Sequence, residues 1–307
     1  MNSIELNLLK EVAELDALPI GAYNLRANGE SAGRNTTANI DIVTKTDKPG
    51  IDIYIKPGTK NESMHIPVIM SKAGLKDMVY NDFHIGEGAD VTIIAGCGIH
   101  NCGGGDVTSQ HDGIHTFYLE KNARLRYVEK HYGEGDGRGK QVMNPTTVIH
   151  LAEGAVMEME TTQIAGIDDT IRKTSGDLAE GASLIVREKI MTTGDQRAVT
   201  DFVVDLNGEG CSANVVSRSV AKDVSKQEFT SRINGNCACA GHTECDAIIM
   251  DNAMVLASPQ LTANHVDASL IHEAAIGKIA GEQLIKLMTL GLTEKEAEDQ
   301  IVNGFLK

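Results

Sequence analysis

Between Ile40 and about His265, apolar and polar side chains alternate in short runs. Ile51, Ile53 and Ile55 interleave with Asp52 and Tyr54, Leu125 and Tyr127 with Arg124 and Arg126, and Met157 and Met159 with Glu158 and Glu160. A period of two marks half-buried strands, because successive side chains leave a pleated strand on opposite faces. The flanks follow the helical period instead. Ile4, Leu8, Val12 and Leu15 share a face between Ser3 and Leu18, and Pro19 closes that segment. Ala280, Leu284, Leu287 and Met288 do the same between Ile276 and Leu290, with Gly291 as the stop. Thr293-Glu294-Lys295-Glu296 is a capping box opening a last helix that ends near Gly304. The expected layout is a helical or irregular segment over 1–39, a β core over 40–269 and a helical module over 270–307.

The strands carry a loose repeat. Gly or Asn followed by a small residue precedes a strand at Gly88-Ala89, Asn122-Ala123, Gly154-Ala155, Gly181-Ala182, Gly210-Cys211 and Asn252-Ala253. Successive turns are 34, 32, 27, 29 and 42 residues apart. That variation excludes strict arrays such as ankyrin and fits a β-solenoid whose coils differ in loop length. Each turn needs a residue that accepts positive φ. A β-sandwich with similar turns is the alternative.

Composition narrows the class. Hydrophobic residues make up 41% and charged residues 23%, as in a globular chain. A net charge of −15, no Trp and 4% aromatic content argue against a nucleic-acid partner. The mixed-charge start MNSIELNLLKEVAEL has no apolar signal core, and no run approaches the roughly 20 apolar residues of a membrane span. A cytoplasmic protein without membrane insertion is expected. Its six cysteines would then be reduced, which favours ligands or sulfur carriers over disulfides.

Candidate chemistry concentrates at Cys237-Ala-Cys239-Ala-Gly-His242-Thr-Glu-Cys245, followed downstream by His272-Glu273. Thiolate and imidazole suit iron–sulfur clusters, zinc or cuprous ions, although this spacing is not a zinc-finger pattern. Packing of small thiols in a β core is the plain alternative. A second group, Cys97, His100 and Cys102 with His111 and His115 downstream, lies in a Gly-rich stretch and has ligand types suited to a metal. It would serve a metal-dependent enzyme on a β-solenoid. Cys211 stands alone after a turn and reads as packing. His272-Glu273 lacks the second His of a zincin, which excludes metalloprotease chemistry. The Gly133–Lys140 stretch lacks the glycine and hydroxyl positions of a phosphate-binding loop. No nucleotide site is expected in this chain, so any ATP-driven step belongs to a partner.

Two stretches, CDAIIMDNAMVLASPQL from Cys245 and LIHEAAIGKIAGEQLIKLMTLGLTEKEAEDQIVNGF from Leu270, run in a specific order. They comprise a cysteine-bearing strand, a His-Glu-Ala segment, a helix, a Gly turn and an acidic helix ending in Gly-Phe. Over about Ile233 to Phe305 the chain thereby resembles the SufB/SufD family of iron–sulfur cluster assembly scaffolds. A weaker likeness runs upstream through Gly96-Cys97 and Ile114–Tyr118. The resemblance implies a right-handed parallel β-helix flanked by helices, pairing through the β-helix, and a SufC-type ABC ATPase docked on the C-terminal helices. Leu284, Leu287 and Phe305 are the candidate contacts there. It further implies a transient iron–sulfur cluster handed on to apo-proteins, with the chain itself non-catalytic. By position, Cys245 corresponds to a sulfur-accepting or cluster-ligating cysteine and Glu273 to a proposed ligand, with His272 beside it. Cys237, Cys239 and His242 are nearby candidates without a firm counterpart. Ending at Lys307, where longer members continue, the chain reads as a compact form working as a homodimer.

Overall fold

The computed structural model describes residues 2–101, 107–135 and 139–307. Strands account for 59% of the chain and wind into a β-solenoid of about 8 turns, with one helix before them and two after. Two ten-stranded sheets stack coil upon coil. In one of them Val156 lies beside Ser183, Ser183 beside Ser212, Ser212 beside Ala240 and Ala240 beside Ser269, all in parallel register. The period-two residues behave as their spacing predicts. Ile51, Ile53, Ile55, Leu125, Tyr127, Met157 and Met159 all point into one continuous core.

The turn repeat is a physical ladder along one edge of the solenoid. The backbone N–H of Gly88, Asn122, Gly154, Gly181 and Gly210 each donates to a carbonyl of the next coil, at Lys121, Glu153, Glu180, Glu209 and Ala238. All five have φ between 56° and 70°, the left-handed region where Gly and Asn cost least. The small residue that follows points inward, and Ala89, Ala123, Ala155, Ala182, Cys211 and Cys239 are all buried. The irregular last interval has a simple cause. Asn252 belongs to the opposite edge, where its N–H donates to Asp223 O. The true sixth rung is Ala238-Cys239, which carries no Gly or Asn.

Helix α1 runs Ser3–Ala13, shorter than the Ser3–Leu18 that the spacing suggests. It is opened by an Asn2–Glu5 capping box and ends where Glu14 turns left-handed. It lies flat on the strand Asp90–Asn101, burying Leu8, Leu9 and Val12. Gly96 makes that approach possible, since a Cβ there would fall 2.6 Å from Val12 O. Strands begin at Ala22 rather than Ile40 and continue to Gly277, past 269. His272 and Glu273 therefore sit on the final strand, and the helical module starts only with α2, Gly281–Thr289, followed by α3, Glu294–Phe305. Helix α3 has a Thr293–Glu296 capping box, as its sequence predicts, and buries Ala297 and Val302. Among the described residues no helix is long and apolar enough to cross a membrane.

Candidate functional site

Inward-facing positions of the middle coils are not uniformly apolar. Asn81 Nδ2 donates to His115 Nε2 at 3.3 Å, and His115 Nδ1 meets Tyr127 Oη at 2.9 Å. Tyr127 donates its own proton to Glu129 Oε1 at 2.9 Å, so His115 carries its proton on Nδ1. Arg172, 1% exposed, donates to Glu129 Oε2 at 2.7 Å and to His131 Nδ1 at 3.1 Å. Its Nε lies 3.4 Å from Glu188 Oε2. Glu188 also accepts from Thr200 at 3.1 Å and from Ser217 at 2.9 Å. Ser217 is the register neighbour of Cys245 in the next coil. One polar chain therefore runs through the core from His115 to the cysteine strand.

Burial and charge set the protonation states along this chain. Burial alone would raise Glu129, but His131 and Arg172 outweigh it and hold the carboxyl well below its usual range. Burial pushes Glu188 up, against the opposing pull of Arg172. Burial holds His115 neutral, with its pKa lowered to about 4. Two acids and one guanidinium thus share the interior, with Arg172 bridging both carboxylates. Position parity was the available signal. Glu129 and His131 share the inward parity of Leu125 and Tyr127, and Arg172 shares that of Thr170 and Thr174.

Among the described residues of the Cys97 group, Cys97 and His100 do not come together. Cys97 and His100 lie on the strand Asp90–Asn101, three residues apart and so on opposite faces. Cys97 points inward, and His100 pairs with Glu134 at 2.9 Å. Cys102 lies outside the described residues. The structure instead brings Cys97 together with His111, His115, Glu129 and His131 around an interior cavity of about 20 Å³, room for about one water molecule. Burial, then the charges of Asp77 and Glu129, keeps the Cys97 thiol protonated.

Cys245 lies on the strand Ala240–Ile249 and His272 and Glu273 on its parallel neighbour Ser269–Gly277. The side chains divide between the faces of that sheet. Cys245 points inward and is 1% exposed, and burial followed by the charges of Glu188 and Asp246 pushes its thiol up to about 12. His272 shares the inward parity, with Nδ1 3.1 Å from Thr243 O. Glu273 faces outward and converges with His242 and Glu244, their ligand atoms all within 4.8 Å of one another. His242 Nδ1 bonds Asn214 Oδ1 at 3.0 Å, leaving Nε2 and its lone pair 3.5 Å from Glu273. The Glu244 carboxyl is raised, chiefly by its hydrogen bond to Asp246 and then by burial. Crowded carboxylates beside a free imidazole lone pair form a hard nitrogen–oxygen set, suited to a divalent transition metal such as ferrous iron. No motif marks Glu244, although its i+2 relation to His242 on a strand places both on one face.

Cys237 and Cys239 do not join this group. They occupy the turn before the strand, and six residues of extended chain put Cys239 about 20 Å from Cys245. The candidate contacts of the helical module, Leu284, Leu287 and Phe305, are half-buried, whereas Ile285, Met288 and Leu290 are exposed.

Residues 70–305 match the family model described as SUF system FeS cluster assembly, SufBD core domain. An iron–sulfur cluster assembly SufBD family protein of Methanothermobacter thermautotrophicus is 33% identical over 226 residues, covering 72% of this chain and 53% of that protein. A protein of the same description from Archaeoglobus fulgidus is 28% identical over 85% of this chain and 69% of its own length. Another, from Methanocaldococcus jannaschii, is 27% identical over 83% of this chain and 79% of its own. The matched part of the chain spans about half the length of the Methanothermobacter relative. With the family model running through the solenoid and into α3, the chain belongs to the SufBD family of iron–sulfur cluster assembly proteins.

Proposed function

We propose that this chain is a non-catalytic cytoplasmic scaffold on which a nascent iron–sulfur cluster forms before passing to apo-proteins. The observation that carries the reading is the division of candidate side chains between the two faces of the last two strands of one sheet. Cys245, on the inner face, handles sulfur. His242, Glu244 and Glu273, on the outer face of the same strands, receive iron, with His272 on the inner face alongside Cys245. Mixed ligands hold iron less firmly than four thiolates would, which suits a site that must release its product. Iron and sulfide are here the cargo.

ATP hydrolysis would come from a SufC-type ABC ATPase docked on the helical module. Ile285 and Met288 supply an exposed apolar face on α2, a helix that buries none of its own residues, and exposed Leu290 follows at its C-cap. Deleting the chain from Gly277 onward should abolish co-purification with the ATPase, and retained binding would contradict this docking site. Two copies would meet through the last coil, whose outward Leu256 and Ile271 are exposed.

Anaerobic reconstitution with iron and sulfide tests the scaffold reading. Cys245→Ala should build no cluster while keeping its circular dichroism spectrum, and Glu273→Gln should bind iron more weakly but still accept sulfur. A Cys245→Ala chain that assembles clusters at the normal yield would contradict the assignment. The metal-enzyme alternative requires Cys97 and His100 to act together, and their opposite faces give it no support.

A further inference from the structure

A pocket of about 380 Å³ opens on the outer face of the sheet that carries Cys245. Two outward columns of parallel neighbours build its floor. Glu160, Arg187, Val216 and Glu244 stand side by side in one column, and Thr162, Lys189 and Arg218 in the next. Lys307, just after α3, forms a wall, its carbonyl accepting from Lys189 Nζ at 2.7 Å. Three cationic side chains thus line one pocket from two adjacent strands, Ser183–Thr192 and Ser212–Ala221, whose spacing is about 4.8 Å. They do so in a chain whose net charge is −15. Their own partners leave charge to spare. Arg187 reaches Glu158 only at 3.5 Å, in an exposed pair, and Lys189 meets a neutral carbonyl. Arg218 is exposed and forms a salt bridge with no carboxylate among the described residues, although its charge reaches Glu244. The acids that line the pocket are mostly occupied elsewhere. Arg126 holds Glu160 at 3.2 Å, and Glu188 turns into the core toward Thr200 and Ser217. The remaining acid, Glu244, belongs also to the group with His242 and Glu273. Pocket and group therefore meet at one carboxylate.

We propose that this pocket binds a small di- or tricarboxylate anion, which shares a divalent metal ion with His242, Glu244 and Glu273. The sharing rests on the reading of those three residues as the iron-receiving group, whereas the anion pocket stands on its own cations. Arginine presents a fork that matches two carboxylate oxygens at once, and lysine adds a point charge. A volume of about 380 Å³ falls within the roughly 300–1,000 Å³ of small-molecule sites, more than one compact inorganic oxyanion fills. Carboxylates carried on a short carbon chain can reach cations on both strands. One imidazole and two carboxylates leave further positions open on ferrous iron, and oxygen donors suit them. A carboxylate of the anion would take such a position in place of water. No covalent bond of the anion breaks and the iron stays divalent. Because iron would contact both the protein and the anion, each must tighten the binding of the other by the same factor.

Anaerobic calorimetry of the full-length chain tests this, at one ionic strength so that screening of these exposed charges stays constant. The probes are ferrous iron and tricarballylate, a tricarboxylate without the hydroxyl that makes citrate a strong chelator. Tricarballylate alone should bind the wild type. Arg218→Gln should weaken that binding about 10-fold or more, the effect of losing one charge-assisted hydrogen bond, and Arg187→Gln should do the same from the neighbouring strand. Iron should bind the wild type about 5–150-fold more tightly with tricarballylate present, the usual span of coupling between two ligands. Arg218→Gln should lose that gain while binding iron alone at least as tightly as the wild type. Phosphate should give no gain. Absence of tricarballylate binding, or binding that survives in both arginine variants, would overturn the pocket. An iron affinity indifferent to tricarballylate would overturn the sharing, and an equal gain from phosphate would overturn the choice of carboxylate. A chain that binds tricarballylate through Arg218, yet takes iron equally well after Glu273→Gln, would overturn the iron-receiving group and leave the pocket standing.

Discussion

At its N-terminal end the solenoid closes itself. The strand Ala22–Ala27 takes an antiparallel partner, Glu30–Asn35, the strand Gly50–Ile55 takes another, Ile40–Thr44, and α1 covers the neighbouring coils. At the C-terminal end the strands Met254–Ala263 and Ser269–Gly277 are the outermost members of their sheets, each paired on one side only. Their burial differs accordingly. The middle strand Arg197–Leu206 alternates buried and half-buried along its length, whereas the last two strands leave Leu256 54% and Ile271 53% exposed. Terminal repeats of a solenoid normally carry a polar outer face or a cap, and bare edges invite pairing with another chain. One end is finished and the other is unfinished until something joins it. The cysteine, histidine and carboxylates of the candidate site lie at the unfinished end.

The largest effect expected on folding comes from the finished part. Arg172→Met would strand Glu129 and Glu188 in the core, and removing one partner of such a buried set costs about 3–5 kcal/mol. Urea unfolding should show it as a lower midpoint with an unchanged slope. The same substitution at an exposed pair, Arg187 with Glu158, should cost under about 1 kcal/mol.

Acid should act on the same region. His115 has a folded pKa of about 4 against 6.5 in a free chain. Between those values the unfolded state binds a proton that the folded state refuses, so stability falls as pH drops from 6.5 to 4. The loss amounts to about 3 kcal/mol, with burial of His131 adding in the same direction. Glu188, whose pKa is raised, works in the opposite sense over its own range. A His115→Gln variant should show a flatter stability profile across this window. An identical slope would mean that the imidazole is not held neutral.

A smaller effect concerns the outer face of the finished coils. Tyr54, His84, Tyr118 and His150 stack in sequence at centroid separations of 4.7, 5.1 and 5.1 Å. Tyr118→Ala should remove two of these contacts and cost about 1–2 kcal/mol, read as a lower melting temperature. Ile271→Asp at the unfinished end should change the stability of the isolated chain by less than about 0.5 kcal/mol, yet disrupt self-association. Equal destabilisation at the two ends would break the distinction between them.

Much of this architecture is legible in the sequence because solenoid turns are chemically strict. Gly88, Asn122, Gly154, Gly181 and Gly210 adopt the positive φ that their identity predicts. Asn252 shows the limit, since both edges of the solenoid use similar turn residues and spacing alone does not say which edge a turn serves. Beside Cys97, Gly96 is small because α1 rests on it, whereas the glycines that suggest a loop, Gly103, Gly104 and Gly105, lie outside the described residues. Position parity could have separated inward Cys245 from outward Glu273, and likewise Cys97 from His100. The gathering of His242, Glu244 and Glu273 needs the register between two strands 29 residues apart, which a single sequence does not carry.

The central claim is that the unfinished end becomes a cluster site when two chains share it. The direct measurement is the molar mass of the reconstituted protein by light scattering, read with its iron and sulfide content. The account predicts a dimer holding its cluster between two copies, with both mass and cluster lost together in Ile271→Asp. A monomer that carries a full cluster on each chain, unaffected by Ile271→Asp, would contradict it.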